Sequence, residues 1–457
     1  MYDAIIVGAG FAGLSAAKEL IRRGCSDILV LEARDRVGGR TRKTVVGGLA
    51  MDLGGMWIGP TQTRMVALAE DYQVRKYETP IRGRNILRIT GKERFSEGDD
   101  FESFFSLREK ISLFRIEREI RSLSKTLSSE EPWRHPQAQD LDSRTVESWI
   151  AQMTKSPRVR QFFRLVCFSL FCAEASQVSL LFFLHYLKSG DGLEPMLSSG
   201  TGSAQNFLLH GGVHQIAAKM ADELGDRVRL ESPVRRVEWS EGAAQVYTDD
   251  ACHEARTVIV SVPPTLVERI DFAPALPRPK KAFHARLAMG SAIKYCIVFE
   301  TPFWREQGFN GFILRDDVPC APCLDVSPPG QPKGVIAGFF DGDHALNHSG
   351  LGMDARRAIV LRTLADHFGP RALSPIEYVD VDWLEEQWSG GCYGAFAGPG
   401  IFSRYGENLR RRVGPLFWAG TETSTRWTGY IEGAVRSGER AAQEVADQLL
   451  SMAAVAK

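Results

Sequence analysis

Ala4-Ile5-Ile6-Val7-Gly8-Ala9-Gly10-Phe11-Ala12-Gly13 opens the stretch that decides the fold, and Glu32 closes it. Four apolar residues run into a glycine, the pattern of a buried strand ending in a tight turn. From Phe11 to Arg23 apolar residues recur at helical spacing, and Gly24 ends the run. Ile28 to Leu31 reads as a second buried strand, so strand, helix and strand form a compact βαβ unit of a parallel sheet. In that context the glycines acquire roles. Gly8 permits the turn, Gly10 lets backbone approach a pyrophosphate, and Gly13 lets the helix sit close on the strand. The helix N-terminus meets phosphate charge. Glu32, 19 positions after Gly13, ends the second strand where a carboxylate accepts hydrogen bonds from ribose hydroxyls. A bound dinucleotide is expected.

The residues after Glu32 point to an extended FAD rather than NAD. The chain continues Glu32-Ala33-Arg34-Asp35-Arg36-Val37-Gly38-Gly39-Arg40-Thr41, then Asp52-Leu53-Gly54-Gly55-Met56-Trp57. Glycine pairs beside arginines suit a second phosphate-contacting loop, since guanidinium groups bind phosphate oxygens bidentately.

Further along, Leu107 to Leu127 reads as an amphipathic helix carrying Ile111, Phe114, Ile120, Leu123 and Leu127 among charges, and Val146 to Lys188 is helix-rich. Leu197 to Ser203 is a Gly/Ser loop. His214 to Leu224 reads as helix, Arg227 to Trp239 as one strand with Pro233 at an edge or bulge, and Thr257 to Val262 as a buried strand. A strand over Ala292 to Phe299, a helix over Asp354 to Phe368, a strand over Leu416 to Ala419 and a last helix from Gly429 to Leu450 complete the pattern.

Composition bounds the partners. Lys+Arg and Asp+Glu are both 56, so no positive excess exists to neutralise phosphates, and nucleic acid is not an expected partner. The opening lacks a secretory signal, and the apolar stretch Phe162 to Leu187 is interrupted by Arg164, Glu174, Gln177 and His185. A cytoplasmic protein without a membrane anchor is expected. Eight scattered cysteines make no disulfide framework. Cys320 and Cys323 form a C-x-x-C inside a Pro-rich stretch with no second pair, so no metal is expected.

These motifs together resemble the flavin-containing monoamine oxidases and their polyamine-oxidase relatives. The C-terminal blocks carry the likeness furthest: Glu386-Gln387-Trp388-Ser389-Gly390-Gly391-Cys392-Tyr393, Ala419-Gly420-Thr421-Glu422-Thr423 and Thr428-Gly429-Tyr430-Ile431-Glu432-Gly433-Ala434. The resemblance is weakest from about Arg82 to Ser203. It implies an α/β fold in which a Rossmann-like FAD-binding domain (1–78, 210–280, 386–450) is interleaved with an α+β substrate-binding domain (79–209, 281–385). It assigns cofactor contacts to Gly8, Gly10, Gly13, Glu32, Ala33, Arg34, Gly39, Arg40, Gly54, Gly55, Met56, Trp57, Val234, Trp383, Cys392, Gly420, Thr421, Glu422 and Ile431, with covalent FAD attachment through Cys392. Tyr393 and Tyr430 match the paired rings of the family's aromatic cage, which orient a neutral amine and exclude water. Lys294 matches a lysine that holds a water near the flavin. Period-two reading adds that Lys294 shares a strand face with Cys296 and Val298, where an unpaired ammonium is costly.

The implied reaction oxidises the amine's α-carbon to an imine, which hydrolyses to an aldehyde or ketone, while dioxygen becomes hydrogen peroxide. The redox chemistry is the cofactor's. Gln205 aligns with a substrate-orienting glutamine, and the aromatic middle segment, with Phe168 and Phe171 assigned to the cavity, favours an arylalkyl or cycloalkyl amine. The alternatives are a polyamine oxidase, an L-amino acid oxidase with a cavity arginine for the carboxylate, or a non-catalytic flavoprotein scaffold. A homodimer is the oligomer kept in view.

Overall fold

A computed structural model of the protein describes residues 1–98 and 100–455. The βαβ opening forms as its glycines require: strand Tyr2–Val7, helix Phe11–Arg22, strand Ile28–Leu31. Tyr2–Val7 lies parallel between Ile28–Leu31 and Cys252–Val260 in an eight-stranded sheet. Cys252–Val260 has two further neighbours of different kinds. Its first half pairs antiparallel with Ala243–Tyr247, and its second half pairs parallel with Leu416–Trp418. The last sixty residues are thereby stitched beside the first seven.

Helix Phe11–Arg22 is sandwiched against the final helix, Ile431–Val455. Glycines make both of this helix's contacts close, Gly13 its approach to the turn and Gly438 its approach to the final helix. A Cβ on Gly13 would collide with the Gly8 carbonyl, and one on Gly438 with the Ala12 carbonyl. Val30, Leu14, Ile259, Phe417 and Val445 close the core between sheet and helices.

One strand reading needs correction. Arg227 to Trp239 is two short strands, Val228–Arg229 and Arg236–Ser240, and they lie toward opposite edges of the sheet. Pro233 has no N–H to give a ladder, so the chain leaves one edge before it and joins the other side after it. This crossing carries Val234 over the ends of the parallel strands.

A second sheet has the strand order Glu377–Asp382, Ala292–Phe299, Gly334–Asp341, Cys323–Asp325, Phe309–Arg315, Arg84–Ile89, Lys92–Glu97. Ala292–Phe299 is paired along both edges and buried along its whole length, because one face (Ile293, Tyr295, Ile297, Phe299) and the other (Ala292, Cys296, Val298) pack into two different hydrophobic clusters. Above this sheet stand helices Leu107–Thr126, Val146–Met153, Pro157–Phe171 and Leu180–Ser189. Two of them begin at serine caps: Ser156 Oγ accepts from the Val159 N–H at 3.3 Å, and Ser179 Oγ from the Phe182 N–H at 3.1 Å. On Leu107–Thr126 the inner face is Ile116 and Ile120, whereas Ile111 and Phe114 lie outside with Leu107 and are 47%, 62% and 76% exposed respectively. No helix among the described residues is long and apolar enough to cross a membrane.

Candidate active site

One continuous cavity runs from the Gly8 turn, past Trp57, Lys294 and Cys392, to helix Pro157–Phe171. At its first end Gly8 has φ +103°, a conformation that suits glycine. A Cβ on Gly39 would sit 3.2 Å from the Gly10 Cα, so side chains here would fill the channel. Glu32 is 3% exposed, and its Oε2 accepts the Ala9 N–H at 2.8 Å. Buried carboxylate, glycine cradle and helix N-terminus together fit the adenosine diphosphate part of FAD.

The arginines behave differently from the phosphate-binding role read from the sequence. Arg34 donates to Glu386, at 3.0 Å through Nε, and to Ser389 Oγ at 2.8 Å. Arg40 reaches Glu422 at 2.6 and 3.1 Å and the Tyr393 carbonyl at 2.9 Å. Arg36 turns its guanidinium onto the Val37, Gly39 and Thr41 carbonyls. Three guanidinium groups thus bind protein acceptors, and two of them tie the N-terminal loop to the C-terminal blocks. Arg34 and Arg40 still line the cavity. Glu422 is buried, and Arg40 holds its carboxyl below the usual carboxylate range against the opposing effect of burial.

Ala33, Gly54, Gly55, Met56, Trp57, Val234, Trp383, Gly420, Thr421 and Ile431 also line the cavity. Gly54 must be glycine: a Cβ there would strike the Arg40 carbonyl. Trp383 is anchored by its indole N–H on the Leu53 carbonyl at 2.9 Å. Lys294, 3% exposed, donates Nζ to the Gly54 carbonyl at 2.6 Å and lies 5.0 Å over the Trp57 ring. Burial lowers its pKa, and the Cys296 thiol and nearby Asp52 partly restore it.

Cys392 lines the same wall with its thiol buried, its pKa pushed up to about 12 mainly by desolvation and drawn back by Arg40 and Lys294. Tyr393 stands edge-on to Phe339 at 5.7 Å and 85°. Tyr430 leans on Trp427 at 5.0 Å and Tyr186 at 6.1 Å. Both tyrosines face the cavity. Gln205 donates Nε2 to the Met196 carbonyl at 3.1 Å, and its buried Oε1 has no partner. A buried acceptor left open on a cavity wall is suited to an N–H brought by a ligand.

Phe168 and Phe171 are not in the wall. Helix Pro157–Phe171 presents Phe162, Leu165, Val166, Ser169 and Leu170 to the cavity, positions spaced along one face. Phe168 and Phe171 lie round the other side. The first packs beside Gly342 and His344, the second against Tyr186 and Phe182. Aromatic content alone misplaced them, because helical phase decides which rings meet the cavity. Asp52 carried no signal of its own in the sequence, yet its buried carboxyl accepts the Val213 N–H at 2.7 Å and the His214 N–H at 3.3 Å and is pushed up to about 6 by burial. Cys320 and Cys323 are buried thiols, the former donating to Thr363 Oγ1 at 3.3 Å.

Comparisons with known proteins converge on this cavity's chemistry. The profile of a family described as flavin containing amine oxidoreductase matches residues 11–446. The chain is 33% identical, over 99% of both chains, to a probable flavin-containing monoamine oxidase A of Dictyostelium discoideum. It is 37% identical to an L-amino acid dehydrogenase of a Synechocystis strain, over 97% of this chain and 94% of the other. Among solved structures it resembles wild-type putrescine oxidase bound to putrescine (TM-score 0.91, 31% identity, 97% and 98% of the two chains). Cyclohexylamine oxidase from Brevibacterium oxydans is as similar (TM-score 0.91, 31% identity, 98% and 99%).

Proposed function

Because the chain belongs to the flavin-containing amine oxidoreductases, enzymes that act on CH–NH2 groups, we propose that it oxidises a hydrophobic arylalkyl or cycloalkyl monoamine with dioxygen as acceptor. The observation that carries this choice is the charge of the walls. Those supplied by the helical segment and the second sheet are Phe162, Leu165, Leu170, Met196, Phe312, Leu324, Phe339 and their neighbours, and among the described residues Lys294 is their only charged group. A diamine's second ammonium would be desolvated there without a carboxylate, at a cost of several kcal/mol. An amino acid's carboxylate would find no guanidinium beside it, and Lys294 already donates to Gly54.

When bound, the flavin supplies the two-electron oxidation and passes the electrons to dioxygen. The chain's own part is positional. Tyr393 and Tyr430 flank the amine, Gln205 Oε1 accepts from its N–H, and the apolar helix face seats its hydrocarbon. Lys294 holds a water, and Cys392 is the attachment point for a covalent flavin. Desolvation by these walls favours the amine as the neutral base.

The test is peroxide release under air by the purified yellow protein across cyclohexylamine, phenethylamine, putrescine, spermidine and L-phenylalanine. The expected outcome is a kcat/KM for the hydrophobic monoamines about 100-fold above that for putrescine, equivalent to ~2.7 kcal/mol. Preference for diamines or for the amino acid overturns the substrate assignment. Acid precipitation then reports on the tether: colour stays in the pellet if Cys392 holds the flavin, and moves to the supernatant in Cys392→Ala.

A further inference from the structure

Helix His214–Leu224 starts without a cap of its own. Its N-cap position is Val213, whose side chain has no oxygen to offer the first-turn N–H groups. The missing acceptor comes from 161 positions away in the chain: Asp52 takes the Val213 N–H on Oδ2 at 2.7 Å and the His214 N–H on Oδ1 at 3.3 Å. A negative group is favoured at a helix N-terminus. The seat is tight, since a Cβ on Gly212 would come within 2.7 Å of Asp52 Oδ1. The helix itself belongs to the βαβ side of the molecule, with Val213, Ile216, Ala217 and Met220 in the core that contains Leu14 and Ala17.

The residues that follow Asp52 are held by the second sheet and its neighbours. Lys294 Nζ donates to the Gly54 carbonyl at 2.6 Å, the Trp383 indole to the Leu53 carbonyl at 2.9 Å, and the Cys296 thiol lies 3.9 Å from the Asp52 carbonyl. Lys294 and Cys296 are alternate residues on one strand face, and the carbonyls they meet alternate too, so segment 52–54 runs in step with that face. The Leu53 and Gly55 N–H groups bond the Arg42 and Arg40 carbonyls at 2.8 and 3.1 Å, so a displaced segment would carry the cofactor loop with it. Segment 52–54 is therefore where a lysine from one sheet is indexed to the other, and its side-chain anchor is the Asp52 carboxyl.

We propose that Asp52 is a positioning residue for Lys294: its carboxyl, fixed on the start of helix His214–Leu224, sets where the Gly54 carbonyl stands and hence where the Lys294 ammonium is held. The reading of the cavity as a flavin-dependent amine oxidase's is its premise. Asp52 is not among the residues that line the cavity, so it acts through Gly54 and Lys294. A carboxylate accepts both N–H groups with charge assistance. An amide in its place keeps one acceptor oxygen and sets an NH2 against the second N–H, which moves the segment while the apolar core stays.

The test is a double-mutant cycle on the yellow holoenzyme. Wild type, Asp52→Asn, Lys294→Met and the double variant are reduced with dithionite and reoxidised with dioxygen in stopped flow, followed by flavin absorbance. Asp52→Asn slows reoxidation about fivefold when Lys294 is present and less than about 1.5-fold in the Lys294→Met background, because the group it places is gone. A merely structural role would slow both backgrounds alike. Amide exchange gives a readout apart from activity: Asp52→Asn speeds exchange at Val213 and His214 as well as over 53–55, whereas Lys294→Met leaves Val213 and His214 unchanged. Equal slowing by Asp52→Asn in both backgrounds, or none in either, overturns the proposal. Asp52→Ser, which keeps a smaller oxygen acceptor, is carried through the same cycle, so loss of flavin from the Asn variant does not leave the matter open. Dithionite needs no amine, and a failed substrate assignment leaves the outcome readable.

Discussion

Lys294 is buried on a strand paired along both edges, and its one strong partner is a main-chain carbonyl. Period-two reading identified it as a charge on an apolar face, because alternation along a strand is written directly in the sequence. Asp52 was invisible for the complementary reason: its burial and its partners depend on Val213 and His214, residues 161 and 162 positions away. Glu422 lies between these cases, quoted within a motif while its partner Arg40 was assigned to phosphate. Two predictions belong at this scale. Lys294→Met slows oxygen-dependent reoxidation of the reduced enzyme about tenfold or more while anaerobic reduction by amine changes less, read by stopped-flow absorbance. Arg40→Ala leaves the buried Glu422 carboxylate unpaired and costs about 3–5 kcal/mol, read by denaturant unfolding. Because the Arg40 pair lowers the folded pKa of Glu422, the stability it provides is present above the unfolded carboxylate value and is lost as acid carries the pH through the lower, folded one.

Helix Pro157–Phe171 has two aromatic faces with different duties. Phe162 borders the cavity, whereas Phe171 is 3% exposed in the helical core. Phe171→Ala is expected to destabilise the fold by about 3–5 kcal/mol and leave the order of substrate preference intact. Phe162→Ala is expected to shift preference toward bulkier amines, measured as the ratio of kcat/KM for a large and a small cycloalkylamine. Helical character was readable here as the helix-rich stretch Val146 to Lys188, while the start of this helix at the Ser156 cap and first-turn Pro157 came from the structure. Its cavity face was not readable. Which side meets a ligand depends on the second sheet, whose strands come from distant stretches. The split of Arg227 to Trp239 has a similar origin: Pro233 was read as an edge or bulge within one strand, and only sheet closure reveals that the halves join opposite sides.

At the scale of the whole molecule, the first thirty residues announced their own fold, because a βαβ turn is a local structure with local sequence demands. The partnership between the two ends was legible only through family likeness, since nothing near Ala12 specifies that Gly438 will lie against it. Gly438→Val should separate these two helices, lowering melting temperature and flavin content together; a fall in melting temperature with full flavin occupancy would detach the interlock from cofactor binding.

That interlock also orders events in time. During synthesis the Gly8 turn emerges long before its partners: its sheet meets Leu416–Trp418, and its helix meets Gly438, only when those residues have left the ribosome in turn. A nascent chain therefore carries half a nucleotide cleft with one side of its helix bare to solvent, a state in which chaperones, rather than the vitamin, are the fitting companion. Flavin loading becomes a late quality check: yellow colour certifies that the chain has been made through Leu416–Trp418 and Gly438.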